Sequence, residues 1–127
     1  MTKDFPVVFS YSRAQAISDG VLHDVTLMAR EAGFRYPVAM TAVAWADCVA
    51  WPSSSGGGQS ESGRLWDVLT MARVAVKRAA GDTVELTVLV VPLRGASRRP
   101  QLMRLKMVVG PGDDLEPVLT IMLPGED

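Results

Sequence analysis

The spacing of apolar residues changes once along this chain, near residue 81. Before it, Leu65, Val68, Leu69, Ala72, Ala75, Val76 and Ala79 recur at steps of three and four. That spacing places them on one face of a helix. Ser62 offers a capping hydroxyl, Lys77 and Arg78 suit the negative C-terminal end, and Gly81 suits a left-handed stop. The pattern therefore predicts one long helix over 62–81. After it the period falls to two. Val84, Leu86, Val88 and Val90 face one way, with Glu85 and Thr87 the other; Met103, Leu105, Met107 and Val109 then oppose Arg104 and Lys106. A third apolar run, 118–123, follows the turn signal Gly110-Pro111-Gly112-Asp113-Asp114 and ends at Pro124-Gly125. The expectation is a three-stranded antiparallel meander with one face buried.

The N-terminal half reads as shorter pieces. Residues 5–11 are extended, and Ser12 opens a helix over 13–17 closed by Asp19-Gly20. Residues 21–25 fit a short strand or a linker equally. Thr26 caps a helix over 27–32 with Gly33 as its stop. Residues 34–40 alternate, but Pro37 holds them to an edge or an approach segment. Thr41 caps a third helix, 42–51, which Pro52 ends. The Ser/Gly-rich stretch 53–60 is a flexible loop by composition, and it joins two helices rather than two domains. The predicted fold is α+β: N-terminal short helices and one long central helix packed on a C-terminal three-stranded antiparallel meander, in a single domain over 1–127.

Bulk composition narrows the classes. With 127 residues, 48% hydrophobic and 21% charged, the chain matches ordinary folded proteins rather than disordered ones. The net charge of −1, from 13 basic and 14 acidic side chains, is too balanced for a general nucleic-acid binder or a DNA mimic. Any electrostatic function must then come from a local patch. One cysteine, Cys48, permits no internal disulfide and no cysteine-based zinc cluster. The N-terminal apolar run is too short for a signal segment, and no stretch reaches the ~18 apolar residues of a membrane span. A cytoplasmic protein is expected.

Candidate chemistry is sparse. His23 is the only histidine, so neither a nucleophile–base pair nor a multi-histidine metal site is recognisable. No G-x-S-x-G elbow or phosphate loop is present. Cys48, among Ala46, Val49 and Ala50, reads as a buried inert thiol. Asp113, Asp114 and Glu116 follow a glycine-bearing turn and offer oxygen ligands for Mg²⁺ or Ca²⁺, yet their spacing fits no EF-hand loop and a solvated turn explains them. No cofactor, metal ligand or catalytic residue is assigned, and an enzyme is not expected. The densest basic patch is Arg94, Arg98 and Arg99 in the first hairpin loop, with Arg104 and Lys106 on the polar strand face. Arginine suits bidentate contacts to carboxylate or phosphate. Trp66 and Arg73 on the long helix exceed what a packing helix needs, and Trp and Arg are favoured interface anchors. Arg64 and Arg73 are placed to pair with Asp67 or Glu61 on the helix surface, a small effect. Tyr11, Arg13, Gln15 and Asp19 form a polar-aromatic cluster at the first helix.

Several blocks resemble one family. Tyr11-Ser12-Arg13-Ala14-Gln15-Ala16-Ile17, Asp19-Gly20-Val21-Leu22, Trp45-Ala46-Asp47-Cys48-Val49-Ala50-Trp51, Glu61-Ser62-Gly63-Arg64-Leu65-Trp66-Asp67-Val68-Leu69 and the tail from Gly110-Pro111-Gly112-Asp113-Asp114 to Leu123-Pro124-Gly125-Glu126-Asp127 resemble small uncharacterised bacterial proteins found on plasmids and integrative elements. The Ser/Gly loop is simpler here than in those proteins, and His23 stands where an aliphatic residue is expected. The resemblance implies a mobile-element setting, where small accessory proteins antagonise host defence. The expected function is a non-enzymatic inhibitor that binds a host defence complex, an anti-CRISPR protein occluding an effector. Its partner is a protein or ribonucleoprotein, met through Arg94, Arg98, Arg99, Arg104, Lys106, Trp66 and Arg73. The alternative is a nucleic-acid-binding accessory protein of plasmid maintenance or transfer, and the same basic hairpin would meet phosphates.

Overall fold

A computed structural model describes residues 11–93 and 99–127. Within them the order is α1 (Arg13–Ser18), β1 (Leu22–Asp24), α2 (Thr26–Glu31), β2 (Val38–Thr41), α3 (Ala42–Cys48), a 3-10 turn (Ser53–Ser55), α4 (Glu61–Val76), β3 (Thr83–Val90), β4 (Gln101–Pro111) and β5 (Pro117–Met122). The strands form one five-stranded sheet in the order β1-β2-β5-β4-β3. β1 pairs antiparallel with β2, and β3, β4 and β5 pair antiparallel in succession, while β2 runs parallel to β5.

The expected three-stranded antiparallel meander is therefore corrected to a mixed five-stranded sheet; the α+β class stands. The meander forms one half of it. The other half is readable only as a strand or linker over 21–25 and an alternating edge or approach segment over 34–40, because β1 and β2 span three and four residues. Within β2 itself Val38, Ala39 and Met40 are all buried, so both its faces are covered and the apparent alternation of 34–40 does not describe it. Pro37 does not confine the segment to an edge. It precedes the first β2 residue, and its carbonyl accepts the Leu119 amide at 2.9 Å, so the ladder never calls on its missing N–H.

Capping chemistry fixes the helix starts. Ser12 Oγ accepts the Gln15 amide at 2.9 Å and Thr41 Oγ1 the Ala44 amide at 3.2 Å, as expected. The long helix starts earlier than predicted, because Ser60 rather than Ser62 provides the cap, accepting from Gly63 N at 3.1 Å. It also ends at Val76 rather than running to Gly81. Thr26 is the first residue of α2 and not its cap; its hydroxyl donates to Asp24 Oδ1 at 2.6 Å and accepts from Val38 N at 3.1 Å, tying α2 to β2.

Strand register sorts the side chains onto two faces. Met40, Ile121, Met107 and Leu105 lie on the face that α2, α3 and α4 cover, and they join Ala44, Val68, Leu69 and Ala72 in the core. Among the described residues the opposite face is covered only in part. There α1 sets buried Ala16 beside β1 and places the Arg13 guanidinium on Thr120 and Leu119 of β5. The outer side of β3 keeps Glu85, Thr87 and Leu89 exposed, as does Arg104 on β4.

Candidate functional site

The N-terminus of α4 carries an unforeseen buried charge. Arg64 is 5% exposed. Its Nε donates to the Val49 carbonyl at 3.0 Å, and Nη1 to the Val91 carbonyl at 2.8 Å and to Gln59 Oε1 at 3.2 Å. The guanidinium lies 4.8 Å from the centre of the buried Trp51 ring, a cation–π arrangement. Its Nη2 is buried without a hydrogen-bond partner. Burial pulls the guanidinium below its ordinary pKa, opposed by the nearby Asp67 and Glu61 charges. Arg64 is thus no surface partner of those carboxylates. It joins the end of α3, the 53–60 loop and the exit of β3. Glu61 instead accepts the Trp51 amide at 3.1 Å. The signal was legible, since position 64 extends the apolar stripe one turn back from Val68. In the same loop Trp51 Nε1 donates to Gly56 O at 2.9 Å, where Gly56, Gly57 and Gly58 take φ of 58°, 73° and 76°. Side chains with a Cβ rarely adopt three such angles in succession.

A second polar cluster joins the first and last of the resembling blocks across the partly covered face of the sheet. Asp113 accepts the Arg13 amide at 2.7 Å and the Ala14 amide at 3.0 Å, capping α1 from 100 residues away in sequence. Arg13 donates to Thr120 Oγ1 at 2.9 Å and the Leu119 carbonyl at 2.8 Å. Glu126 accepts from Thr41 Oγ1 at 2.7 Å and Leu123 N at 2.8 Å. Asp19 accepts from Tyr11 and from Gln15 Nε2, bonds that hold its pKa low. The Asp113 turn is therefore a clasp for α1. Asp114 N donates to Glu116 Oε1 at 2.9 Å, and among the described residues no three His, Cys, Asp or Glu side chains converge on a metal-sized site.

The two amide bonds hold Asp113 below its ordinary value of 3.8. A depressed carboxylate pKa favours the docked state above the ordinary value and loses that contribution as pH falls through the lowered one. Protection of the Arg13 and Ala14 amides, measured against the intrinsic exchange rate at each pH, is expected at pH 6 and should be lost below about pH 4. Asp113→Ala should leave them unprotected at both values; full protection at pH 6 in that variant removes the clasp.

The predicted partner-binding residues fall in several places. Arg94 and Arg98 lie outside the described residues. Arg99 is exposed beside Pro100. Arg104 and Lys106 project from the outer face of β4, and Arg104 Nη2 stands 3.6 Å from Glu85 Oε1 on β3. That pair is open to water and contributes a few tenths of a kcal/mol at most. Arg73 lies apart from these, its Nε donating to the Gly33 carbonyl at 3.2 Å. Trp66 is 41% exposed. Trp51 by contrast is buried, and Trp45 is half-buried with its ring stacked on His23 at 4.5 Å and 3°.

Trp66 shares an open groove of about 490 Å³ with Met71 of α4 and with Leu89 and Leu102. The last two are cross-strand partners on the outer sheet face, 61% and 69% exposed. Sequence reasoning missed them, although alternation sets Leu89 with Glu85 and Thr87 and Leu102 with Arg104 and Lys106 on the polar face; what it does not report is that β3 is an outer strand. β3 closes the strand order and pairs only with β4 among the described residues. Val109 N donates to Asp82 O at 2.8 Å, which makes Asp82–Val109 a hydrogen-bonded pair. Antiparallel alternation then turns the backbone groups of Thr83, Glu85, Thr87 and Leu89 away from β4, toward the open edge. An eight-residue edge lined by Trp66, Leu89 and Leu102 is a template for an added strand.

Cys48 is buried, and its thiol is pushed up to about 11, mainly by burial and also by Asp47. Folded protein at pH 8 should resist alkylation that goes to completion in denaturant; rapid native labelling contradicts this reading.

A family model described as "Family of unknown function (DUF6573)" matches residues 2–127. No curated protein matches, and no solved structure matches.

Proposed function

We propose, for a chain that belongs to the DUF6573 family, a non-enzymatic role as a protein-binding inhibitor. The observation that carries it is the open β3 edge beside exposed Trp66, Leu89 and Leu102. A partner places an extended segment along β3, main chain to main chain, and an apolar side chain between Trp66 and Leu89–Leu102. Main-chain hydrogen bonds supply affinity and the groove supplies specificity. Arg104 and Lys106 then lie at the rim, where charge governs encounter rate more than affinity. The resemblance to plasmid and integrative-element proteins supports a host defence complex as the partner, with anti-CRISPR occlusion of an effector as the mode.

Co-purification from a bacterial host carrying CRISPR and restriction systems tests the reading. Wild-type protein is expected to retain a defence complex at 0.5 M salt, and L89D/L102D to lose it. Capture of nucleic acid alone, with affinity falling steeply between 50 and 200 mM salt, would move the function to plasmid maintenance. No captured defence complex and no loss of immunity on expression would sink the proposal.

A further inference from the structure

At the other end of α4 a cavity of about 340 Å³ opens into the sheet, within the size range of small-molecule sites. It exists because α2 stops at Glu31 and α4 at Val76, so that among the described residues no helix roofs β3, β4 and β5 there. Its lining is mainly apolar, from Phe34, Val76, Val84, Met107, Val109 and Leu119. The polar side chains at the cavity are few: Arg73, Arg35, Tyr36, Asp82 and Thr83, with two cations against one carboxylate.

Arg73 is the informative member. It is half-buried, and Nε is spent on the Gly33 carbonyl at 3.2 Å. No carboxylate of the described residues lies within 4.0 Å of its guanidinium. Gly33 makes room for it: the residue has φ +106°, and a Cβ there would stand 2.9 Å from Arg73 Nε. A cation is thereby held at an apolar cavity with two terminal nitrogens to offer. A guanidinium in that position fits a carboxylate in fork geometry.

We infer that this cavity binds a small apolar monocarboxylate, its hydrocarbon body against Phe34, Val84 and Leu119 and its carboxylate on Arg73, with Arg35 as the outer cation. The site touches only the start of β3, shares no lining residue with the groove of Trp66, Leu89 and Leu102, and does not depend on the proposed partner. The charge excess excludes an equal preference for neutral molecules of the same shape.

Two-dimensional NMR titration with decanoate and with 1-decanol, which shares the chain and lacks the charge, tests the site. Decanoate is expected to shift the Val84, Val109 and Leu119 amides saturably and to bind at least tenfold more tightly than decanol. Arg73→Gln should remove that difference while leaving the spectrum folded, and Val109→Trp should block both ligands. Absence of saturable shifts, decanol binding as tightly as decanoate in the wild type, or an unchanged preference in Arg73→Gln would each overturn the inference. The wild-type comparison decides even where a variant fails to fold.

Discussion

Arg64→Met is expected to destabilise the protein by about 3 kcal/mol, the largest stability effect of any single polar side chain here. Methionine keeps most of the apolar stem, so the change isolates the guanidinium. What it leaves behind is the Val49 carbonyl, the Val91 carbonyl and Gln59 Oε1 without their donors. Each unsatisfied buried acceptor costs about 1–3 kcal/mol. Against this, methionine is spared the burial of a charge and of Nη2, which has no partner. Two carbonyls lost outright outweigh one nitrogen already unsatisfied, so the net sign is destabilising. Small domains have about 5–15 kcal/mol in total, and for this length the loss corresponds to roughly 10 °C in Tm. Arg64→Lys retains the charge but not the fork, and should fall between the two. Urea unfolding followed by tryptophan fluorescence measures all three proteins. A midpoint for Arg64→Met equal to wild type would show that the three segments hold together without it.

That residue also marks where sequence reasoning stops. The period-two runs of β3 and β4 are readable because each has one wet face, and register bears them out pair by pair, from Thr83–Val108 to Val90–Gln101. The short β2 has no wet face, and its parallel partner β5 lies some eighty residues on. Neither local propensity nor spacing reports such a pairing. Asp113 illustrates the same limit. A Gly-Pro-Gly-Asp-Asp stretch reads correctly as a turn, yet its carboxylate caps a helix at the other end of the chain. The candidate site was half legible. Trp66 stood out because a helix needs no tryptophan at that place, whereas Leu89 and Leu102 fall on the polar strand face by alternation but gain meaning only once the strand order sets them beside an outer strand.

If a partner strand lies along β3, Thr87→Pro and Trp66→Ala should damage binding in different ways. The Thr87 backbone faces the open edge, so proline there removes a donor the β4 ladder does not use, and edge strands tolerate proline in that orientation. Thr87→Pro is expected to keep the fold, with near-native thermal melting, and to abolish binding to the captured partner. Trp66→Ala removes the one exposed tryptophan among the described residues. Truncating a hot-spot tryptophan costs about 2 kcal/mol or more, which is roughly a thirtyfold weaker Kd, mostly through faster dissociation. Arg104→Ala should change affinity by less than about 1 kcal/mol, because its only described ion pair is water-exposed, and should slow association instead. Surface plasmon resonance on the purified complex separates the three. Full binding by folded Thr87→Pro would reject strand addition while leaving a side-chain interface in place, and full binding by Trp66→Ala would remove the groove itself from the interface.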